Sequence, residues 1–193
     1  MPIGANKAAL FGTSGAVTDT SVLLATGVAS ASASLEFTLP TAYKQVTFGF
    51  YNIAPATDAA YFQFQVNASG QTGFNEVITS TYFRAEHSEG GVSSLSYDAG
   101  NDQAQGTAYQ YLTAGMGNGS DECGAGVLHL FNPSSTTYVK HFYSTAQYYH
   151  LSNYSINSFP AGYINVTAAI TEIDFKMSSG NIASGTIKMW GVL

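Results

Sequence analysis

The stretch Ala169–Leu193, AITEIDFKMSSGNIASGTIKMWGVL, decides the fold. Its first half reads as an alternating strand with the apolar positions Ile170, Ile173 and Phe175. Ile170 and Ile173 lie three apart, so the alternation slips there, which predicts a bulge or a switch of inward face. Ser178 to Gly185 reads as a two-stage turn: Gly180 and Gly185 supply positive-φ or sterically open positions, Asn181 tolerates left-handed backbone, and Ile182 tucks under the loop. The last strand, through Ile187, Met189, Trp190, Val192 and Leu193, is expected to pair with ITEIDFKM as a hairpin. It must lie inside a sheet or under a neighbouring subunit, because an exposed apolar edge invites aggregation.

The same period-two alternation runs through the chain. LEFTL points Leu35, Phe37 and Leu39 one way, QVTFGFY points Val46, Phe48 and Phe50, and YFQFQV points Phe62, Phe64 and Val66 against Tyr61, Gln63 and Gln65. Further strands are expected in EVITSTYF, TAYQYL, GVLHLF, YVKHFYS, one long YINVTAAITEIDFKM and GTIKMWGVL. Between them fall turn clusters such as NASGQTG, SEGG, YDAGND, GMGNGSDECGAG and NPSS. Only ANKAALFG has the makings of a turn of helix. Closely spaced strands without helices between them predict an all-β, antiparallel two-sheet sandwich or jelly roll, with no fixed-period repeat to suggest a propeller or β-helix. The sandwich domain is expected over residues 31–193. Residues 1–30, small and Gly/Ser-rich, read either as an N-terminal docking arm or as an irregular lead-in plus a first strand around SVLLA.

Composition narrows the partners. Charged residues make up 9% of the chain, against roughly 25% in an average soluble domain. Such a surface suits contact with other subunits or with neutral, hydroxyl-rich glycans. A net charge of -6 with six Lys+Arg removes the basic footprint that nucleic acid requires. A single cysteine, Cys123, excludes an intrachain disulfide framework. The N-terminal segment has no secretory apolar region, so neither a signal peptide nor a membrane span is expected.

The closing turn and strands resemble the C-terminal segment of jelly-roll virion proteins of marine tailed phages, with the pattern I..I.F, SSGNI.SGT, I.L.G. Here those positions are Ile170, Ile173, Phe175, Ser178 to Ile182, Ser184 to Ile187, Met189 and Gly191, with Trp190 where most such chains have Tyr. FYNIAPATDAAYFQFQVN resembles the same group's early strands, linked by an I.P..D stretch. The resemblance implies a jelly roll that forms a homotrimer, made in the host bacterial cytoplasm and displayed on the virion among other virion proteins. It leaves two roles open: a tail fibre, spike or head-fibre component that attaches to host-surface polysaccharide, or a capsid decoration protein that stabilises the head lattice.

No catalytic constellation stands out. His129 and His141 would meet if their strands pair, with Asp121 or Glu122 as neighbours, yet no metal-ligand spacing supports them and structural histidines are the simpler reading. No G-x-S-x-G elbow occurs, and carboxylates such as Glu86, Glu89, Asp98 and Asp102 sit in loops without a fixed separation. The chain is read as a non-enzyme without cofactor or resident metal. Asp98, Asn101, Asp102, Asn118, Asp121 and Glu122 offer oxygen ligands for calcium, but turn chemistry alone accounts for them. The remaining signal is tyrosine. Tyr109, Tyr111, Tyr143, Tyr148 and Tyr149 stand among Gln, His and Ser, a mixture suited to ligand or subunit contact and equally to ordinary strand structure.

Overall fold

A computed structural model gives the fold and describes residues 21–192. The described residues form twelve strands: β1 Val22–Ser32, β2 Ser34–Thr38, β3 Gln45–Pro55, β4 Phe62–Ala68, β5 Ile78–Ser88, β6 Ser93–Tyr97, β7 Gln110–Tyr111, β8 Gly124–Phe131, β9 Lys140–His150, β10 Tyr154–Ile164, β11 Ile170–Met177 and β12 Ile182–Val192. An eight-stranded sheet runs β1-β12-β3-β8-β9-β10-β5-β6, and a four-stranded sheet runs β2-β11-β4-β7. Every strand pairing in both sheets is antiparallel. The two sheets pack as a β-sandwich. Among the described residues no helix is long and apolar enough to cross a membrane.

The alternation places the core as expected. Val46, Phe48 and Phe50 of β3 and Phe62, Phe64 and Val66 of β4 are fully buried between the sheets. Phe175 of β11 sits at their centre, with ring centroids 5.2 Å from Phe48, 5.8 Å from Phe62 and 6.1 Å from Phe37. Burying one such ring contributes about 1.5–3 kcal/mol, and edge-on packing adds about 0.5–1.5 kcal/mol per pair. The slip in parity at Ile170 is a register shift between Ile170 and Glu172 where β11 pairs with β4.

The C-terminal turn differs from the hairpin expected of it. β11 pairs with β2 and β4 in the small sheet, whereas β12 pairs with β1 and β3 in the large one. SSGN is therefore a crossover between layers, and β12 does not pair with ITEIDFKM. Gly180 takes φ +65 and Gly185 φ +135, while Asn181 keeps negative φ and donates its side-chain amide to the Ala31 carbonyl at 2.8 Å. The crossover turns the chain through the sandwich instead of folding it back in one plane, and Ile182 is buried as it enters β12. β12 lies inside the sheet, one strand in from the β1 edge.

Three further expectations are corrected. YINVTAAITEIDFKM is two strands, because residues 165–169 pass from the large sheet to the small one. Gln63 and Gln65 are buried: the outer side of β4 is covered by neighbouring segments, and Gln65 Nε2 donates to the carbonyls of Glu76 at 2.9 Å and Ala108 at 3.0 Å. β6, and β10 before Tyr163, are strands beyond those expected; Pro160 in β10 cannot donate to a ladder, and its pairing with β9 skips from Ser158 to Ala161. Residues 22–30 belong to β1, so the first-strand reading holds for that part of the lead-in. Of the docking-arm reading of residues 1–30, residues 1–20 lie outside the described residues, as does the ANKAALFG turn.

Candidate functional site

Strand β9 sorts the tyrosines. Its burial alternates strictly from Lys140 to Tyr148, so Phe142, Ser144, Ala146 and Tyr148 face the core and His141, Tyr143, Thr145 and Gln147 face outward. Tyr148 is fully buried and is a core residue, which corrects its reading as a ligand or subunit contact. Burial raises the Tyr148 hydroxyl pKa and keeps it protonated.

Tyr143 is 45% exposed and lies at the centre of an outer aromatic platform. Antiparallel register sets it opposite His129 of β8, ring centroids 4.6 Å apart, and Phe131 is 5.7 Å away on the same side. The Gln45 side-chain amide lies 2.9 Å from His129 Nδ1, and Thr47 Oγ1 lies 3.2 Å from it. Burial lowers the His129 pKa, so the imidazole is neutral at neutral pH. Farther across the sheet His141 meets Tyr163 edge-on at 6.3 Å, and Phe83 stacks on Phe159 at 4.9 Å. At the platform's rim a groove of about 520 Å³ is lined by Phe131, Tyr138, Val139, His141 and Thr167. Tyr138 stands 70% exposed beside it.

The electrostatic character of this face follows from the register. The outward residues of β8 (Ala125, Val127, His129, Phe131), β9, β10 (Ser155, Asn157, Phe159, Ala161, Tyr163) and β5 (Thr79, Thr81, Phe83, Ala85, His87) include no Asp, Glu, Lys or Arg. Four adjacent strands thus present rings, hydroxyls and amides without formal charge. Such a surface costs little to desolvate and offers flat apolar faces with hydrogen-bonding edges.

The other expected residues lie elsewhere. Tyr149 is near the far end of β9, where its hydroxyl donates to Glu89 Oε1 at 2.9 Å and lies 3.2 Å from Asn153 Oδ1. Tyr111 packs edge-on against Tyr61 at 4.8 Å on the small sheet. Tyr109 also belongs to that side, donating to Asp174 Oδ2 at 2.8 Å with Lys176 Nζ 3.9 Å from its ring centre. The five tyrosines do not form one site.

His129 and His141 share the outer face of neighbouring strands, but each is engaged by an aromatic ring, and Asp121 and Glu122 precede the opposite end of β8. The Gly-rich loops use their own acids: Asp98 accepts from Gly100 N–H at 3.2 Å and from Asn101 Nδ2 at 2.8 Å, and Glu122 accepts from Gly119 N–H at 2.6 Å. Among the described residues no three His, Cys, Asp or Glu side chains converge as metal ligands do. Phe83, Phe131, Tyr138, Phe159 and Tyr163 were missed as platform residues; the outward parity of YSINSFPAGYI carries the signal for Phe159 and Tyr163, once Pro160 is allowed inside a strand.

No family model, curated protein or solved structure matches this chain.

Proposed function

We propose that this protein is a structural component of a tailed-phage virion, displayed on the particle surface, that attaches to host-surface glycans through the outer face of its eight-stranded sheet. The observation that carries the reading is the uncharged aromatic platform around Tyr143 and His129, whose rings lie 4.6 Å apart with no formally charged outward side chain on four adjacent strands. Aromatic faces pack against the C–H faces of sugar rings, and the surrounding Thr, Asn and Gln side chains suit hydroxyls. Weak sites of this kind gain strength by repetition, which fits many copies on a particle and a homotrimer as the expected unit.

The context rests on the resemblance of SSGNIASGT and IAPATD to phage jelly-roll virion proteins. The strand order is compatible with it. β2-β11-β4-β7 faces a sheet containing β3-β8 and β5-β6, which supports a reading as two interleaved Greek keys with β9 and β10 inserted between β8 and β5 and with β1 and β12 added at one edge.

The test is adsorption of virions carrying Tyr143→Ala or Tyr138→Ala to host cells. Intact particles that adsorb several-fold more slowly support the reading; unchanged adsorption in both overturns it. A second reading, a capsid decoration protein, is favoured by the β1 edge, where Leu23 is 51% and Val28 66% exposed. It predicts that Val28→Lys, which charges that edge, reduces occupancy on heads and leaves adsorption unchanged.

A further inference from the structure

On the inner side of the large sheet the core ends between Tyr82 and Arg84. Ile78, Ser80 and Tyr82 are buried, and two residues on, Arg84 and Glu86 emerge on the same face with side chains 25% and 23% exposed. There β5, β9 and β10 form a cleft of about 290 Å³, lined by Arg84, Glu86, His150, Ser152, Tyr154 and Ile156. It lies on the opposite side of the sheet from the Tyr143 platform.

Arg84 is only partly satisfied within it. Its Nε is buried without a hydrogen-bond partner, while Glu86 Oε2 stands 3.5 Å and Asp98 Oδ2 3.7 Å away. The Arg84 side chain as a whole stays 25% exposed, and a guanidinium carries five N–H donors in a fixed fork, so a ligand in the cleft meets its exposed edge and not the buried Nε. The charge balance selects the ligand. Two carboxylates already flank one guanidinium, so an anion would meet excess negative charge and a cation would meet Arg84. A neutral hydroxyl can accept from the guanidinium and donate to Glu86 at once. His150 adds no charge, since Ser152 N–H donates to its Nδ1 at 3.2 Å and burial lowers its pKa. Its ring meets Tyr154 edge-on at 6.0 Å, and together with Ile156 they wall one side of the cleft.

We infer that this cleft binds a single neutral sugar ring, with adjacent hydroxyls held by Arg84 and Glu86 and a C–H face against Tyr154. The volume suits one ring and not an extended oligosaccharide. The inference rests on the glycan-attachment reading and gives it a second, polar subsite.

The test is saturation-transfer NMR on the full chain with three probes, methyl α-D-mannopyranoside, methyl β-D-galactopyranoside and methyl α-L-rhamnopyranoside, and with N-acetylneuraminic acid as the anionic comparison. Transfer to at least one neutral glycoside is expected, with affinity about tenfold weaker in Glu86→Gln and in Tyr154→Ala, as loss of one charge-assisted hydrogen bond or an aromatic wall implies. Glu86→Gln keeps the side-chain shape and an acceptor for Ser94 Oγ, so it remains informative if Tyr154→Ala fails to fold. Absence of transfer to all three neutral probes, preference for the anion, or equal binding by wild type and Glu86→Gln overturns the inference. Slower adsorption of Tyr143→Ala virions alongside an empty cleft would sink the cleft alone. Sugar in the cleft with unchanged adsorption of both platform variants would sink the platform alone.

Discussion

The backbone N–H of Ala56 donates to the carbonyl oxygen of Asn181 at 3.0 Å, joining the crossover from β3 to β4 with the crossover from β11 to β12. Both links carry the chain between sheets. Thr57 packs against Gly180, where an added Cβ would stand 2.2 Å from Thr57 Oγ1. Gly180 also holds φ +65, which a side chain adopts only at a cost. Gly180→Ala should therefore destabilise the fold by about 1–3 kcal/mol, a fall in Tm of roughly 2–10 °C for a chain of this size. A thermal melt unchanged within a degree would show that the crossover relaxes freely.

Lys140 belongs to the core by strand parity and is fully buried, yet it carries an ammonium. Its Nζ donates to the carbonyls of Val166 at 3.1 Å and Thr167 at 2.8 Å, and to that of Ala168. One charge thus satisfies the chain as it leaves β10 for β11, and it fixes Thr167 at the wall of the outer groove. Lys140→Met keeps much of the apolar stem and leaves these acceptors unpaired, so a loss of about 2–4 kcal/mol is expected by chemical denaturation. A variant as stable as wild type would mean that water replaces the ammonium.

The strands legible in the sequence are those where burial on one face meets water on the other, as in QVTFGFY and GVLHLF. Legibility failed where tertiary structure overrode that rule. Gln65 looks solvent-facing but is buried under the Glu76 and Ala108 carbonyls, which no local pattern encodes. β10 contains Pro160, and its place between β9 and β5 depends on partners distant in sequence. SSGNIASG has the composition of a hairpin turn; whether such a turn returns within one sheet or crosses to another is set by what its flanking strands pair with. The platform was half legible. Tyr143 was singled out by composition, but separating it from Tyr148 required the phase of β9.

That phase gives a further expectation. Tyr148→Ala would open a cavity in the core and cost about 3–5 kcal/mol, in the range for large aromatic truncations. Tyr143→Ala removes a half-exposed ring and one stacking partner, at about 1 kcal/mol or less. Thermal melts of the two variants should differ by at least several degrees, with Tyr143→Ala the nearer to wild type. Equal losses would contradict the outward placement of Tyr143.

Asp174 supplies a test in pH. It is buried on β11, accepting from Tyr109, and burial raises its carboxyl pKa above the ordinary value, with the Tyr109 and Ser34 hydrogen bonds and the Lys176 charge pulling the other way. A carboxyl whose pKa is raised by folding holds its proton more tightly in the folded chain than in the unfolded one. Its contribution to stability is therefore most favourable below the unfolded value, falls as pH rises through the window up to the folded value, and stays at its least favourable above it. Asp174→Asn cannot ionise and retains an acceptor for Tyr109, so it removes this dependence while the other titrating groups largely cancel between the two proteins. The Tm of Asp174→Asn minus that of wild type should become more positive between about pH 3.5 and neutrality, starting from near the ordinary carboxyl range. A difference that instead becomes more negative as pH rises would mean that the hydrogen bonds and Lys176 outweigh burial and that folding favours the charged carboxylate.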